Sequence, residues 1–197
     1  MKTIVLATHN KDKIREFKSK LGSSIKLKTL EDFPQMPDVI EDGETLEHNA
    51  FKKAREIHEY TGLPTVADDT GLEVDALDGA PGVYSSRYAG EDVSYQDNVL
   101  KLLKELKGII TEHRSARFRT KIAFVDTDES WCVEGCAEGR ILEEQKGADG
   151  FGYDPVFYYE ALGKTFGELD LIAKNKISHR AKAIEAFVDK MKELKHI

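Results

Sequence analysis

Apolar residues recur along this chain with two different periods, and the switches between them predict alternating strands and helices. Residues 3–7 (TIVLA) form an apolar run of strand length. Polar Thr8, His9 and Asn10 end it, after which Ile14, Phe17 and Leu21 return at helical spacing and Gly22 stops the helix. Residues 25–29 predict a second strand, and Pro34 and Pro37 mark an irregular connection after it. Leu46, Ala50, Ala54 and Ile57 make the stripe of a second helix, which Gly62 and Pro64 close. From Val66 an apolar strand runs into Asp68 and Asp69 and ends at Thr70-Gly71, with a shaped loop at 78–82 (DGAPG). Ser94 caps a third helix carrying Val99, Leu102, Leu103 and Leu106. Residues 115–126 alternate at first and then turn continuously apolar, as a strand entering a core does, and 131–139 pair with them in an antiparallel ribbon. The last helix buries Ala181, Ile184, Val188 and Met191, with Ser178 as its cap.

At 197 residues the chain has room for one substantial core, or two lobes sharing one sheet, and we read 1–197 as a single domain. Charged residues make up 33% and hydrophobic ones 40%, the balance of a soluble globular protein. No signal peptide or membrane span stands out, so the expected setting is the cytoplasm. A net charge of -7 argues against nucleic acid and anionic membranes as partners, while leaving room for an anionic ligand in a local basic pocket. The two cysteines, Cys132 and Cys136, fall in one strand at a separation that keeps them from bridging, and two are too few for a zinc site. They read as packing residues.

The chemistry-bearing residues come in short clusters. Asp68 and Asp69 are consecutive on a strand, so their side chains point to opposite faces and divide their labour. Thr8, His9 and Asn10, with Lys11 and Lys13, open a helix whose N-terminal amides form either a phosphate cradle or an Asn-capped turn. Glu41 precedes the second helix, which carries Lys53, and Glu41 is a candidate second carboxylate for a hard cation that Asp69 alone would hold poorly. Arg117 and Arg119 share one strand face, solvated or against a partner. In KGADGFGYDPVF, Gly147, Gly150 and Gly152 allow close backbone approach, and Phe151 and Tyr153 offer ring faces to a flat heterocycle. His179 and Arg180 stand at a helix's positive end, where cations gain nothing unless an electron-rich group docks against them.

Taken together, THNK, Glu41, Lys53, DDTG, GAPGVYSSRYAG, GFGYDP and ISHRAKA make the chain resemble the inosine triphosphate pyrophosphatase family, the HAM1-like XTP/dITP diphosphatases, from Met1 to the last helix. The resemblance implies an α/β fold with a long mixed central β-sheet flanked by helices, and two lobes with an active-site cleft between them. It also implies a homodimer and Mg2+-dependent hydrolysis of XTP, ITP and dITP to the monophosphate and pyrophosphate. Carried onto this chain, it makes Thr8, His9, Asn10, Lys11, Asp12 and Lys13 the substrate-binding turn. Glu41 and Asp69 become the metal ligands and Asp69 the proton acceptor, with Asp68 as an alternative base. Lys53 and Lys174 serve the triphosphate, and Thr70, Phe151, Gly152, Tyr153, Asp154, His179 and Arg180 complete the substrate contacts. Two departures from the usual pattern are Thr70, where many relatives carry Ser, and Ala148-Asp149-Gly150, where Gly-Gly usually precedes the Phe.

The chemistry is coherent under that resemblance. A triphosphate carries about four negative charges at neutral pH and needs lysines, amides and a cation to hold it. Arg180 and His179 can donate to the 6-oxo group of hypoxanthine or xanthine, and adenine would leave them unpaired. Two rival readings are a nucleotide-binding regulator without turnover and a Maf-like pyrophosphatase acting on pyrimidine or modified nucleotides.

Overall fold

The computed structural model describes residues 2–21 and 25–196. In chain order its elements are β1 (Lys2–Leu6), α1 (Lys11–Leu21), β2 (Ile25–Thr29), α2 (Leu46–Thr61), β3 (Thr65–Val74), β4 (Pro81–Gly82) and α3 (Tyr95–Glu105). There follow β5 (Ser115–Val125), β6 (Ser130–Ile141), β7 (Phe157–Tyr159), β8 (Lys164–Thr165), α4 (Leu171–Ile177) and α5 (His179–Glu193). The strands make one mixed eight-stranded sheet in the order β2-β1-β3-β5-β6-β7-β8, with β4 paired to β3. β1 runs parallel to β2 and β3, whereas β3–β4, β6–β7 and β7–β8 are antiparallel. Gly22, the expected stop of α1, lies outside the described residues.

The chain divides into two compact units. The first is built from the chain up to Asp69, Thr120–Gly135 and the chain from Arg180; the second from Thr70–Arg119 and Cys136–His179. In the first unit β1 and the adjoining stretches of β3 and β5 are largely buried on both faces, so they read as apolar runs. Period-two alternation sends Ile4, Leu6, Val66, Ile122 and Phe124 to one face, with Phe17 and Leu21 of α1 and Ile184, Phe187 and Met191 of α5. Val5, Ala7, Ala67, Ala123 and Val125 go to the other, with Ala50, Ala54 and Ile57 of α2. In the second unit one core gathers Val99 and Leu102 of α3 with Leu72, Val74, Phe118, Ala137, Phe157 and Phe166.

Three expectations need correcting. β3 does not end at Thr70-Gly71 but continues to Val74. Its second half is held by the second unit's core, where Leu72 and Val74 are fully buried, and by pairing of Leu72 and Glu73 with Gly82 and Pro81. The Leu72 amide also donates to Ser85 Oγ at 2.8 Å. Part of the expected 78–82 loop is therefore strand. Next, an extra helix, α4, precedes the last one: Asp170 caps it by accepting from the Ala173 amide at 2.7 Å, but Ile172 points outward, 73% exposed, and no apolar stripe signals it. Ser178 joins the two helices in extended backbone, and α5 begins at His179. Finally, β6 is longer than 131–139, running from Ser130 to Ile141.

Cys132 and Cys136 are free thiols on β6, both partly covered. Burial, reinforced by the charge of Glu47, pushes the Cys132 thiol up to about 11. Its thiolate is scarce at neutral pH, and the thiolate is the nucleophile. Alkylation of Cys132 by iodoacetamide at mild alkaline pH, followed by peptide mass spectrometry, is expected to run on the order of a hundredfold slower than that of an ordinary exposed thiol; labelling at the ordinary rate would contradict this environment. Among the described residues no helix is long and apolar enough to cross a membrane.

Candidate active site

The alternation of β3 separates the two aspartates. Asp68 follows Val66 onto the face shared with α1 and α5, where it is fully buried. Its Oδ2 lies 3.1 Å from Lys13 Nζ and accepts from Arg180 Nε at 3.1 Å. Arg180, itself only 2% exposed, also donates from a terminal nitrogen to Glu16 Oε2 at 2.6 Å. Two acids and two bases thus form a series, Glu16–Arg180–Asp68–Lys13, buried except at half-buried Lys13, in which each charge has a partner. Burial alone would raise the Asp68 carboxyl, but the charges of Lys13 and Arg180 outweigh it and hold the group well below the usual carboxylate range. Burial lowers the Lys13 amine, with Asp68 opposing and Lys53 and Arg180 adding to the fall.

Asp69 turns the other way, toward α2. Its Oδ2 accepts from Asn49 Nδ2 at 3.1 Å, and Asn49 Oδ1 accepts the Gly43 amide at 2.7 Å. A Cβ on Gly43 would sit 2.6 Å from that oxygen, so only glycine lets the backbone come this close. The contact ties the loop bearing Glu41 to α2. Lys53 Nζ then stands 3.1 Å from Glu41 Oε2 and 3.9 Å from Asp69 Oδ1, and donates to the Asp68 carbonyl at 2.8 Å. Burial raises the Asp69 carboxyl, and Glu41's charge adds to it, against the opposing pull of Lys53 and Lys13. Consecutive carboxylates have been driven in opposite directions. Among the described residues no three His, Cys, Asp or Glu side chains gather as a metal cage. Glu41 and Asp69 are nonetheless two hard oxygen ligands turned toward one cation, Lys53, which is the donor set that a phosphate-bound divalent ion uses.

The turn before α1 is a capped one. Asn10 Oδ1 accepts the amides of Asp12 at 2.9 Å and Lys13 at 3.3 Å, and the Asn10 amide donates to Thr8 Oγ1 at 3.1 Å. Two of the amides expected to cradle phosphate are therefore taken, which leaves Lys13 as the basic contribution of this turn inside the site. His9 and Lys11 are exposed, with His9 3.5 Å from Asp38, and Asp12 pairs with Arg15 at 2.9 Å.

The second unit holds the other candidates. Asp154 Oδ2 accepts the Phe151 amide at 2.8 Å and Lys174 Nζ at 2.6 Å, and both Asp154 and Lys174 are buried. The same ammonium lies 4.7 Å from the Phe151 ring centroid, a cation–π distance. Lys174 is thus placed beside the loop that bears Phe151. Gly147 has φ +82 and a Cβ there would meet the Gly167 carbonyl oxygen at 1.9 Å, so the loop closes only with glycine at this position. Tyr153 belongs to the core, its hydroxyl donating to the Ser85 carbonyl at 2.9 Å. Gly152 and Thr70 are half-buried. His179 is buried and stacks on Phe118 at 4.5 Å. Arg117 and Arg119 are engaged by acids: Arg117 by Asp75 and Glu138, Arg119 by Glu73.

A model of the Ham1 family matches residues 4–190. The chain belongs to the Ham1 family. It is 48% identical over 191 residues to the dITP/XTP pyrophosphatase of Geobacter sulfurreducens, covering 96% of each chain. To the dITP/XTP pyrophosphatase of Bacillus licheniformis it is 49% identical over 187 residues, 94% of this chain and 95% of the other. Its structure matches a HAM1 protein from Coxiella burnetii with a TM-score of 0.91 at 40% identity, covering 98% of this chain and 100% of that one. The Staphylococcus aureus Ham1 protein matches at 0.90 and 37%, covering 98% and 99%.

Two residues of this Ham1 site escape a reading of the sequence. Asn49 carries a usable signal, since it lies in the buried stripe of α2 with Leu46, Ala50, Lys53 and Ala54, where an unexplained polar residue asks for a partner. Glu16 carries little. Its partner Arg180 is 164 positions away. Arg180 already has two electron-rich partners inside the protein, Glu16 and Asp68.

Proposed function

We propose that this Ham1 chain hydrolyses XTP, ITP and dITP to the nucleoside monophosphate and pyrophosphate, clearing them from the nucleotide pool before they are incorporated into DNA or RNA. The observation that carries the proposal is the convergence of Asp69 and Glu41 on one cationic position at Lys53, in a chain whose relatives are dITP/XTP pyrophosphatases. Glu41 and Asp69 would hold Mg2+, which supplies charge neutralisation for the triphosphate and lowers the pKa of bound water. Lys13 and Lys53 add positive charge on the phosphate side. Asp69 accepts the proton of the attacking water at a carboxylate oxygen. The water oxygen forms its bond to the α-phosphorus as the bond from that phosphorus to the bridging oxygen breaks, and pyrophosphate leaves with the bonding pair. Asp68 is the poorer base, because Oδ2 is already shared between Lys13 and Arg180 and the side chain has no access to water. Its work is to anchor the strand beside Asp69.

Phe151 offers its ring to the purine, and Lys174 and His179 are the donors on that side for a 6-oxo group. Adenine presents an amino donor there and leaves them facing a mismatch. We further read the enzyme as a cytoplasmic homodimer. Exposed Tyr84, with the Arg87 guanidinium 5.3 Å from its ring, supplies an aromatic–arginine surface of the kind found at interfaces. The test is pyrophosphate release from ITP, dITP, XTP, GTP, ATP and dUTP, each with Mg2+ or with EDTA. Metal-dependent release confined largely to the first three is expected. No turnover of any of them would leave a nucleotide-binding regulator as the better account, and preference for dUTP would move the assignment to a pyrimidine-directed enzyme.

A further inference from the structure

Resting on the hydrolase reading, we infer that Tyr95 is a second aromatic contact for the purine base, beside Phe151, and sets affinity for the base without touching the phosphates. Tyr95 opens α3 one turn ahead of Val99 and Leu102, on the stripe that those two residues bury in the second unit's core. The core ends before it does: Tyr95 is 46% exposed and its ring packs on that of Phe151, centroids 5.9 Å apart and planes at 41°. An apolar stripe that overshoots its core by one large aromatic, and ends against the ring assigned to the base, has a use for that aromatic beyond folding. The tilt matters. A flat heterocycle lying on one ring meets the other at an angle, so the pair forms a corner and not a single platform.

Both members of the corner are held. Ser94 Oγ accepts the Asp97 amide at 3.2 Å, and Asp97 Oδ2 accepts from the Ser94 amide at 2.9 Å, a reciprocal cap that fixes the first turn carrying Tyr95. Phe151 is fixed by its amide hydrogen bond to Asp154 and by the Lys174 ammonium near its ring. A contact built on two fixed stretches of backbone loses little backbone freedom when the base arrives.

The experiment compares wild type, Tyr95→Phe and Tyr95→Ser for kcat and KM with ITP, and for inhibition by inorganic tripolyphosphate, a probe with phosphates and no base. Tyr95→Ser is expected to raise KM about five- to tenfold, the scale of losing one base–aromatic contact, with kcat within about twofold and the tripolyphosphate inhibition constant unchanged. Tyr95→Phe should stay near wild type. A wild-type KM in Tyr95→Ser overturns the inference while leaving the hydrolase reading intact. Equal shifts in KM and in tripolyphosphate inhibition also overturn it, since they would show a general disturbance of the site. If the wild-type enzyme releases no pyrophosphate from ITP, the hydrolase reading fails first and this contact falls with it.

Discussion

Asp69→Asn is expected to lower kcat for ITP by about a thousandfold, within the range carried by a positioned proton acceptor, without lowering the melting temperature at neutral pH. The two halves of that expectation come from the same geometry. The introduced amide would keep an oxygen for Asn49 Nδ2, now 3.1 Å from Asp69 Oδ2, but has no basic oxygen to receive a proton and is a weaker ligand for a hard cation. The stability half follows from the sign of the shift. Burial, with Glu41's charge, raises the Asp69 carboxyl, so its ionised form at neutral pH counts against the folded state, and removing that charge relieves a penalty instead of adding one. Steady-state kinetics and a thermal melt on the same preparation check both. Retention of more than about a tenth of wild-type kcat, on a scale where acid–base catalysis is worth 10²–10⁴, would remove Asp69 from the proton-accepting role.

Arg180→Met should have its main effect on folding, costing about 3–5 kcal/mol at neutral pH, because it strands Glu16 and Asp68 in the interior with only Lys13 to share. Here the sign runs the opposite way. Asp68 is held below the usual carboxylate range by Lys13 and Arg180 after they overcome its burial, so the stability it contributes is complete above the unfolded carboxylate value and is lost as pH falls through its depressed one. In the variant Asp68, without Arg180, protonates more readily, and acid relieves the penalty. Urea unfolding at neutral pH and again near pH 4, close to the unfolded carboxylate value, should show the gap between wild type and variant narrowing. A gap that is small at neutral pH, or that widens in acid, would mean the series is not the anchor described.

The contrast between those two variants explains which parts of the site can be read in advance. The opposite orientation of Asp68 and Asp69 follows from strand alternation alone and needs no coordinates. Lys53 and Asn49 are legible in the same way, as polar residues in the apolar stripe of α2, although the sequence reading singles out Lys53 and passes over Asn49. What sequence does not supply is the partner of a buried charge: Arg180 has Glu16 beside it, and nothing local links residues so far apart. The fold shows the same division. Where a core acts within one element, as in α1, α2, α3 and β5, periodicity finds it. Local turn signals mislead at Thr70-Gly71, where the packing of Leu72 and Val74 overrides the glycine, and the outward side chain of Ile172 hides α4.

The alternation along β3 also makes chain length itself part of the site proposed for catalysis. One residue lost between the αL cap at Gly62 and Asp68 would turn every later side chain of the strand to the opposite face, setting Asp69 where Asp68 now stands against Lys13 and Arg180 and moving Asp68 to the position of Ala67. Both carboxylates would still be present, in the same order and on the same strand. Neither would have the neighbours that set its charge, so a length change there is a point lesion in chemistry even though it deletes no functional group.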